Sequence, residues 1–298
     1  MEEIVEMDFI ISILEQGLIY GILGLGVYIT YKILDFPDLT TDGSFPLGAA
    51  ISAAMISRGM NPYLALLVSF AAGAAAGCCT GLIHVKCKVR DLLSGIIMMT
   101  ALWTINLRIA GTSNVPIFSK DSIFHNDFLD MLPGAIKPYR TLLIVIVLVV
   151  VTKILLDLYM NTKSGFLLRA VGDNSTLVTS LAKDQGNVKI MGLALSNGLI
   201  ALSGSIFCQE ERVFEVSMGT GAIVIGLASV IIGTSIFKNL SLLKATTAVI
   251  IGSVLYKACV AVAIRNFEPQ DMKLITAILF LVVLVLSMER KKKVKGNA

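Results

Sequence analysis

Composition, scarcity of charge and the spacing of apolar runs predict an all-α polytopic membrane protein with eight to nine transmembrane helices. Apolar residues make up 55 % of the 298 residues and charged residues 15 %. A soluble globular chain carries about 25 % charged residues, so a soluble fold of this size would have too few to cover its surface. The mean hydropathy of +0.81 agrees. A soluble enzyme, a nucleic-acid binder and a secreted disulfide scaffold are thereby excluded. The formal charge of +4 is too mild to imply a polyanionic partner. The five cysteines (Cys78, Cys79, Cys87, Cys208, Cys259) lack metal-ligand spacing and read as small apolar residues.

A helix crossing a hydrocarbon core of about 30 Å needs roughly 20 residues. The runs that meet this are Phe9–Tyr31, Pro62–Val85, Leu92–Gly111, Thr141–Met160, Ile190–Gln209, Val216–Phe237, Leu242–Ile264 and Leu274–Met288. The opening MEEIVEMD is acidic and has no basic n-region, so the first run is expected to stay as a span. Gly43–Ser57 is uncharged but short, and it follows the polar stretch DFPDLTTDG from Asp35. Non-helical backbone at membrane depth survives only inside protein or beside water. A broken or half-length helix is therefore expected near 35–57. The whole of 1–298 reads as a single transmembrane domain.

Orientation follows Lys and Arg in the loops. With nine crossings and the N-terminus outside, the basic clusters Lys86/Lys88/Arg90, Lys163/Arg169/Lys183/Lys189 and the C-terminal RKKKVK all fall inside. Two loops are long. The outer one, 112–140, holds Pro116, Pro133, Gly134 and Pro138 and is expected to form an external cap. The inner one, 161–188, has an amphipathic Leu/Val pattern and is expected to hold a short helix near 162–183. Gly165 and Gly172 would bracket a helical Phe166–Val171, and Asp173 or Asn174 would cap a second helix over 175–183. Spacing alone leaves two readings of this loop equal, a protruding helical knob and a basic loop obeying the positive-inside rule.

Polar residues inside the spans give a second set of candidates. Asp42 or Ser44 would cap a helix beginning near Phe45, with Pro46 in its first turn. The partly positive end of that half-helix is one that the carboxylate of a zwitterionic solute could meet. The plainer reading makes Asp42 only a cap and Asp35 and Asp38 ordinary loop residues. Thr100, Thr104, Asn106, Ser196 and Asn197 interrupt apolar helices. Interhelical hydrogen bonding accounts for any one of them at under about 1 kcal/mol per bond. Asn106 and Asn197 stand out because an amide in lipid needs a partner. Thr100, Trp103 and Thr104 fall within a turn of one another, on different faces. The candidate translocation residues are thus Thr41, Asp42, Ser44, Thr100, Thr104, Asn106 and Asn197. Gly17/Gly21/Gly24 and Gly73/Gly77/Gly81 form small-residue seams for close helix packing, within the chain or between two copies.

The stretch T-x-x-G-x-x-L-R-A-x-G-x-N from Thr162 to Asn174 resembles the cytoplasmic coupling segment of ABC importer permeases of the branched-chain amino-acid and ribose type. Its second half departs from that pattern: Leu177, Val178 and Ala182-Lys183 stand where paired alanines and a Gly-Ile are usual. The strings DFPDLTTDGSFPLGA (35–49), TALWTINLRIAGTSN (100–114) and KIMGLALSNGLIALSG (189–204) resemble most closely the tryptophan/tyrosine-type ABC uptake permeases. The resemblance spans nearly the whole chain. It implies a permease subunit in a bacterial cell membrane, translocating a small solute, an amino acid with aromatic ones favoured. It implies a homodimer with two copies of a separate ATPase, which binds the ATP, and an extracellular substrate-binding lipoprotein. No cofactor of its own is expected. Gly165, Arg169, Ala170, Gly172 and Asn174 carry over as the residues that couple to the ATPase, Arg169 through charge-assisted hydrogen bonds.

Several patterns are missing from the sequence. There is no GxxxxGK[ST] and no HExxH, and the two histidines, His84 and His125, are far apart. Catalysis has no candidates, and no enzyme is expected. The alternative is a self-contained ion-coupled secondary transporter, for which Glu15 and Lys257 are the intramembrane ionisable candidates, with Lys153 and Asp157 near the inner end of a span.

Overall fold

The computed structural model describes residues 2–126, 139–173, 184–237, 243–266 and 274–285. Helix α1 (Glu2–Val27) runs on through a π-helical turn, Tyr28–Ile33. Asp35, at φ +50°, turns the chain out of it. After the seven residues 34–40, without helix or strand, α2 (Thr41–Ser57) begins. Helix α3 (Pro62–Val85) starts from Asn61, whose Oδ1 accepts the Tyr63 N–H at 2.8 Å, with Pro62 as its first residue. Helix α4 (Asp91–Ala110) ends on Gly111 at φ +84°, a left-handed stop that glycine adopts without strain. Strand β1 (Asn114–Pro116) pairs antiparallel with β2 (Val213–Glu215). Between them lie α5 (Arg140–Met160), α6 (Lys163–Asp173) and α7 (Gln185–Glu211). A 3₁₀ turn, Val216–Gly219, leads to α8 (Ala222–Ile236), then α9 (Ala245–Asn266) and α10 (Leu274–Val285).

Among the described residues seven helices are long and apolar enough to span: Glu6–Ile33, Pro62–Val85, Asp91–Ala110, Arg140–Met160, Gln185–Glu211, Val216–Ile236 and Ala245–Arg265. They answer to seven of the eight expected runs. The last run, Leu274–Met288, is described only as the shorter α10. The expected half-helix is α2, which starts at Thr41 rather than Phe45. Pro46 therefore lies in its second turn, where it cannot donate to the Asp42 carbonyl. The outer loop is described only to 126. Its described part holds strand β1, paired with β2, and 127–138 lies outside the described residues.

Helix α7 is the centre of the bundle, packed by α3, α2 and α1. Lipid gives helices no hydrophobic reason to associate, so contact depends on backbones approaching closely. The glycines supply that. A Cβ on Gly48 of α2 would sit 1.8 Å from the Ala201 carbonyl oxygen, and one on Gly204 of α7 1.9 Å from that of Phe45. The seam Gly73/Gly77/Gly81 of α3 lies on α7, against Asn197, Leu193 and Ile190. The seam Gly17/Gly21/Gly24 faces α9, with Gly24 also reaching Ser229. Both seams are thus used within the chain. Around this centre, Tyr20, Phe45 and Phe207 pack at centroid distances of 5.4–5.7 Å, Tyr20 and Phe45 stacked and Phe207 tilted against both.

Candidate functional site

The polar candidates converge where α2 begins. Asp38 is 1 % exposed, although its sequence context reads as an ordinary loop. Its Oδ1 accepts the Thr40 N–H at 2.9 Å and its Oδ2 accepts Asn197 Nδ2 at 2.7 Å. Its carbonyl accepts the Thr41 hydroxyl at 2.9 Å. Asn197 also donates to Leu193 O at 3.0 Å and accepts the Ser44 hydroxyl at 2.7 Å. Thr40 and Thr80 share a hydroxyl–hydroxyl bond of 2.9 Å, which ties α3 in. Asn106 of α4 donates to the Gly43 carbonyl at 3.1 Å. One buried network therefore joins α2, α3, α4 and α7, and Thr41, Ser44, Asn106 and Asn197 are all fully buried in it.

Asp42 does something other than capping its own helix. Its Oδ2 accepts the Gly221 N–H at 3.1 Å and its Oδ1 the Ile223 N–H at 2.8 Å. It caps α8, which begins beside it from Gly221 at φ +85°. Two helices thus start inside the protein, each facing a carboxylate: Asp38 at α2 and Asp42 at α8. No described cation lies within ion-pair distance of either carboxylate. The unpaired N–H groups and partial positive charge of a helix start stabilise such an anion. At the α2 start, Asp38 already accepts the Thr40 N–H just ahead of the helix. Asp42→Ala should strip two partly buried N–H groups of their acceptor and cost about 2 kcal/mol, read as a lower thermal midpoint in detergent. An unchanged midpoint would show that water replaces the cap.

Thr100 and Thr104 are placed differently. They lie one turn apart on the bare side of α4, with Trp103 (46 % exposed). All three are exposed, so the expected separation onto different faces does not hold. The Thr100 hydroxyl is satisfied by the carbonyls of Ile96 and Ile97 at 3.0 and 2.9 Å.

Helix α6 lies at the end of the bundle where α1 ends and α7 begins. It is continuous from Lys163 to Asp173, so Gly165 and Gly172 sit inside it and do not bracket it. Their role is close approach: a Cβ on Gly172 would lie 1.6 Å from Ile33 O, and one on Gly165 2.5 Å from Met160 Cα. Leu168 (0 % exposed) and Val171 (3 %) form the buried face. Phe166 and Arg169 project outward, the guanidinium 6.0 Å from the ring centroid. Ala170 is half-buried. Asn174 and the expected second helix over 175–183 lie outside the described residues.

The ionisable residues of the ion-coupled alternative have structural partners. Glu15 is buried beside the Leu142 backbone in the first turn of α5. Lys257 Nζ lies 4.1 Å from the Tyr20 ring centroid and donates to Gln16 Oε1 at 3.3 Å. Asp157 binds Lys153 at 3.0 Å, Lys244 at 3.2 Å and the Thr246 hydroxyl at 2.8 Å, fastening α5 to α9.

The family described as the permease component of branched-chain amino-acid transport systems matches residues 9–288. The chain belongs to that family. The permease is also 45 % identical over 279 residues to a tyrosine transport system permease protein of Clostridioides difficile, covering 93 % of this chain and 91 % of that one. A probable branched-chain amino acid transport permease protein of Methanocaldococcus jannaschii is 26 % identical over 66 % of the permease and 67 % of its own length. A ribose import permease protein of Escherichia coli K12 is 23 % identical over 74 % and 68 %. No solved structure matches. The kinship expected from the Thr162–Asn174 stretch and the three longer strings is therefore established. Sequence reading weighed Asp38 mostly as an ordinary loop residue and did not single out Thr80. The one available signal was a carboxylate two residues before paired threonines, next to a run too apolar to leave it in water.

Proposed function

We propose that this permease is the membrane-spanning subunit of an ATP-binding-cassette importer for an amino acid, with tyrosine or another aromatic the favoured solute. The observation that carries this is α6: an amphipathic helix seated by Gly172 on the last turn of α1, with Phe166 and Arg169 turned outward. Such a helix gives a separate ATPase something to grip. ATP would be bound and hydrolysed in that subunit, so the permease needs no cofactor of its own. Movement of α6 would press on Ile33 and, through the short stretch to Asp38, on the start of α2. Gly165, Arg169, Ala170, Gly172 and Asn174 keep their assignment as coupling residues.

The full assembly in this reading has two permease copies, two ATPases and an extracellular binding lipoprotein. The N-terminus lies outside and α6 and the C-terminus in the cytoplasm of a bacterial cell. The exposed α4 face with Thr100, Trp103 and Thr104 faces the pathway between copies. Thr41, Asp42, Ser44, Asn106 and Asn197 border that pathway from within, holding α2 and α8 in place. The solute preference is supported by the tyrosine transport relative.

The test is mass spectrometry of proteins that copurify with the tagged permease from gently solubilised native membranes, followed by uptake of labelled tyrosine against labelled leucine. An ATPase in stoichiometric amount is expected. Arg169→Ala with Phe166→Ala should lower its retention about tenfold while leaving the amount of inserted permease unchanged. A permease that purifies alone in every detergent, or a double variant that retains its ATPase in full, would overturn the reading.

A further inference from the structure

At the α6 end of the bundle, a cavity of about 420 Å³ opens between the end of α3 and the start of α7. Ligand pockets fall at roughly 300–1,000 Å³. Its walls include Lys88, Arg90 and Lys189, with His84, Gln185 and Gly186. None of the three cations pairs with a carboxylate among the described residues. The acids beside them in sequence, Asp184 and Asp91, each accept a backbone N–H. Asp184 Oδ1 accepts the Gly186 N–H at 2.9 Å, and Asp91 Oδ1 accepts the Leu92 N–H at 2.9 Å. The wall is held in shape: His84 Nδ1 donates to the Val89 carbonyl at 2.9 Å, and Lys88 takes a left-handed φ of +56°. Non-glycine residues rarely adopt that conformation. Three cations around one concavity, none of them in an ion pair among the described residues, suit an anion.

The surroundings say which kind. A bare apolar stripe climbs α3 directly from the cavity, through Leu82 (45 % exposed), Cys79, Ala75, Ala71 and Leu67 (69 % exposed). These positions share one helix face. A soluble anion would have no use for that stripe, whereas an amphiphile would cover both features at once. Basic pockets between transmembrane helices at a membrane face bind acidic head groups.

We propose that the cavity is a site for an anionic phospholipid, its phosphate held by Lys88, Arg90 and Lys189 and its acyl chains laid along the α3 stripe. The site requires only that the chain spans a bilayer and is independent of the ATPase and of the solute.

Native mass spectrometry of the purified full-length permease, titrated with phosphatidylglycerol or phosphatidylcholine in mixed micelles, tests this. One tightly held phosphatidylglycerol per chain is expected, with phosphatidylcholine bound more weakly. Lys88→Gln with Arg90→Gln and Lys189→Gln should weaken phosphatidylglycerol binding roughly tenfold to a hundredfold. The charge-preserving Lys88→Arg with Lys189→Arg should retain it, as should Lys120→Gln at the opposite end. Displacement by millimolar inorganic phosphate with no lipid preference would replace the lipid with free phosphate. Equal retention in the triple glutamine variant and the wild type would overturn the site altogether. So would a triple variant that keeps its lipid but sheds a copurifying ATPase, which would make the cavity a protein-docking surface.

Discussion

Asn197→Leu is expected to lower the stability of the detergent-solubilised permease by about 3 kcal/mol or more, because it leaves a buried carboxylate short of a partner. Leucine fills the amide's volume, so no cavity confuses the result. What it removes is the donor to Asp38 Oδ2, the donor to Leu193 O and the acceptor for Ser44. Ser44→Ala takes only one of these bonds and should cost about 1 kcal/mol. Graded loss, with Asn197→Leu well below Ser44→Ala in thermal midpoint, is the expected pattern. If both variants melt with the wild type, the network is incidental to α2. Under the proposed function, Asn197→Leu should also reduce solute uptake more than it reduces the amount of inserted protein, since α2 and α8 would lose their fixed relation.

Gly204→Ala and Gly48→Ala should be comparably damaging for a different reason. Replacing glycine by alanine inside a helix ordinarily stabilises it by about 0.5–1 kcal/mol. Here the added methyl would meet a backbone carbonyl at 1.9 or 1.8 Å. Helices α2 and α7 would have to part by about 1 Å, and overpacking of this kind costs about 1–3 kcal/mol. The steric cost exceeds the propensity gain, so both variants should show less monodisperse protein after size-exclusion chromatography. Gly59→Ala is the comparison: nothing lies within 4 Å of its Cβ, though its φ of +74° strains the backbone. Its yield should stay near wild type. If Gly204→Ala and Gly48→Ala behave like Gly59→Ala, the α2–α7 contact is looser than described.

The polytopic all-α character was legible because hydropathy is a local quantity. An apolar run of about 20 residues has one stable fate in a bilayer, whatever surrounds it. Thr162–Asn174 likewise announced the kinship, since its spacing is short-range. Asp38 was not legible. A carboxylate in a polar loop and one buried under Asn197 look alike until α7, some 160 residues on, is placed beside it. Asp42 is a similar case: its caps on α2 and on α8 read identically in sequence, and only the meeting of the two helix starts distinguishes them.

Residue order was therefore enough to determine that this chain is a multi-pass permease, where most of its apolar helices run, and that 35–57 would hold a broken or half-length one. Tertiary structure alone decided which polar groups satisfy one another, that both glycine seams are spent inside the chain, and that Gly165 and Gly172 seat α6 rather than ending it. The physical reason is range. Burying a helix in lipid depends on its own composition. A hydrogen bond between α2 and α7, or a carbonyl resting on a glycine, depends on two distant segments being brought within about 3 Å.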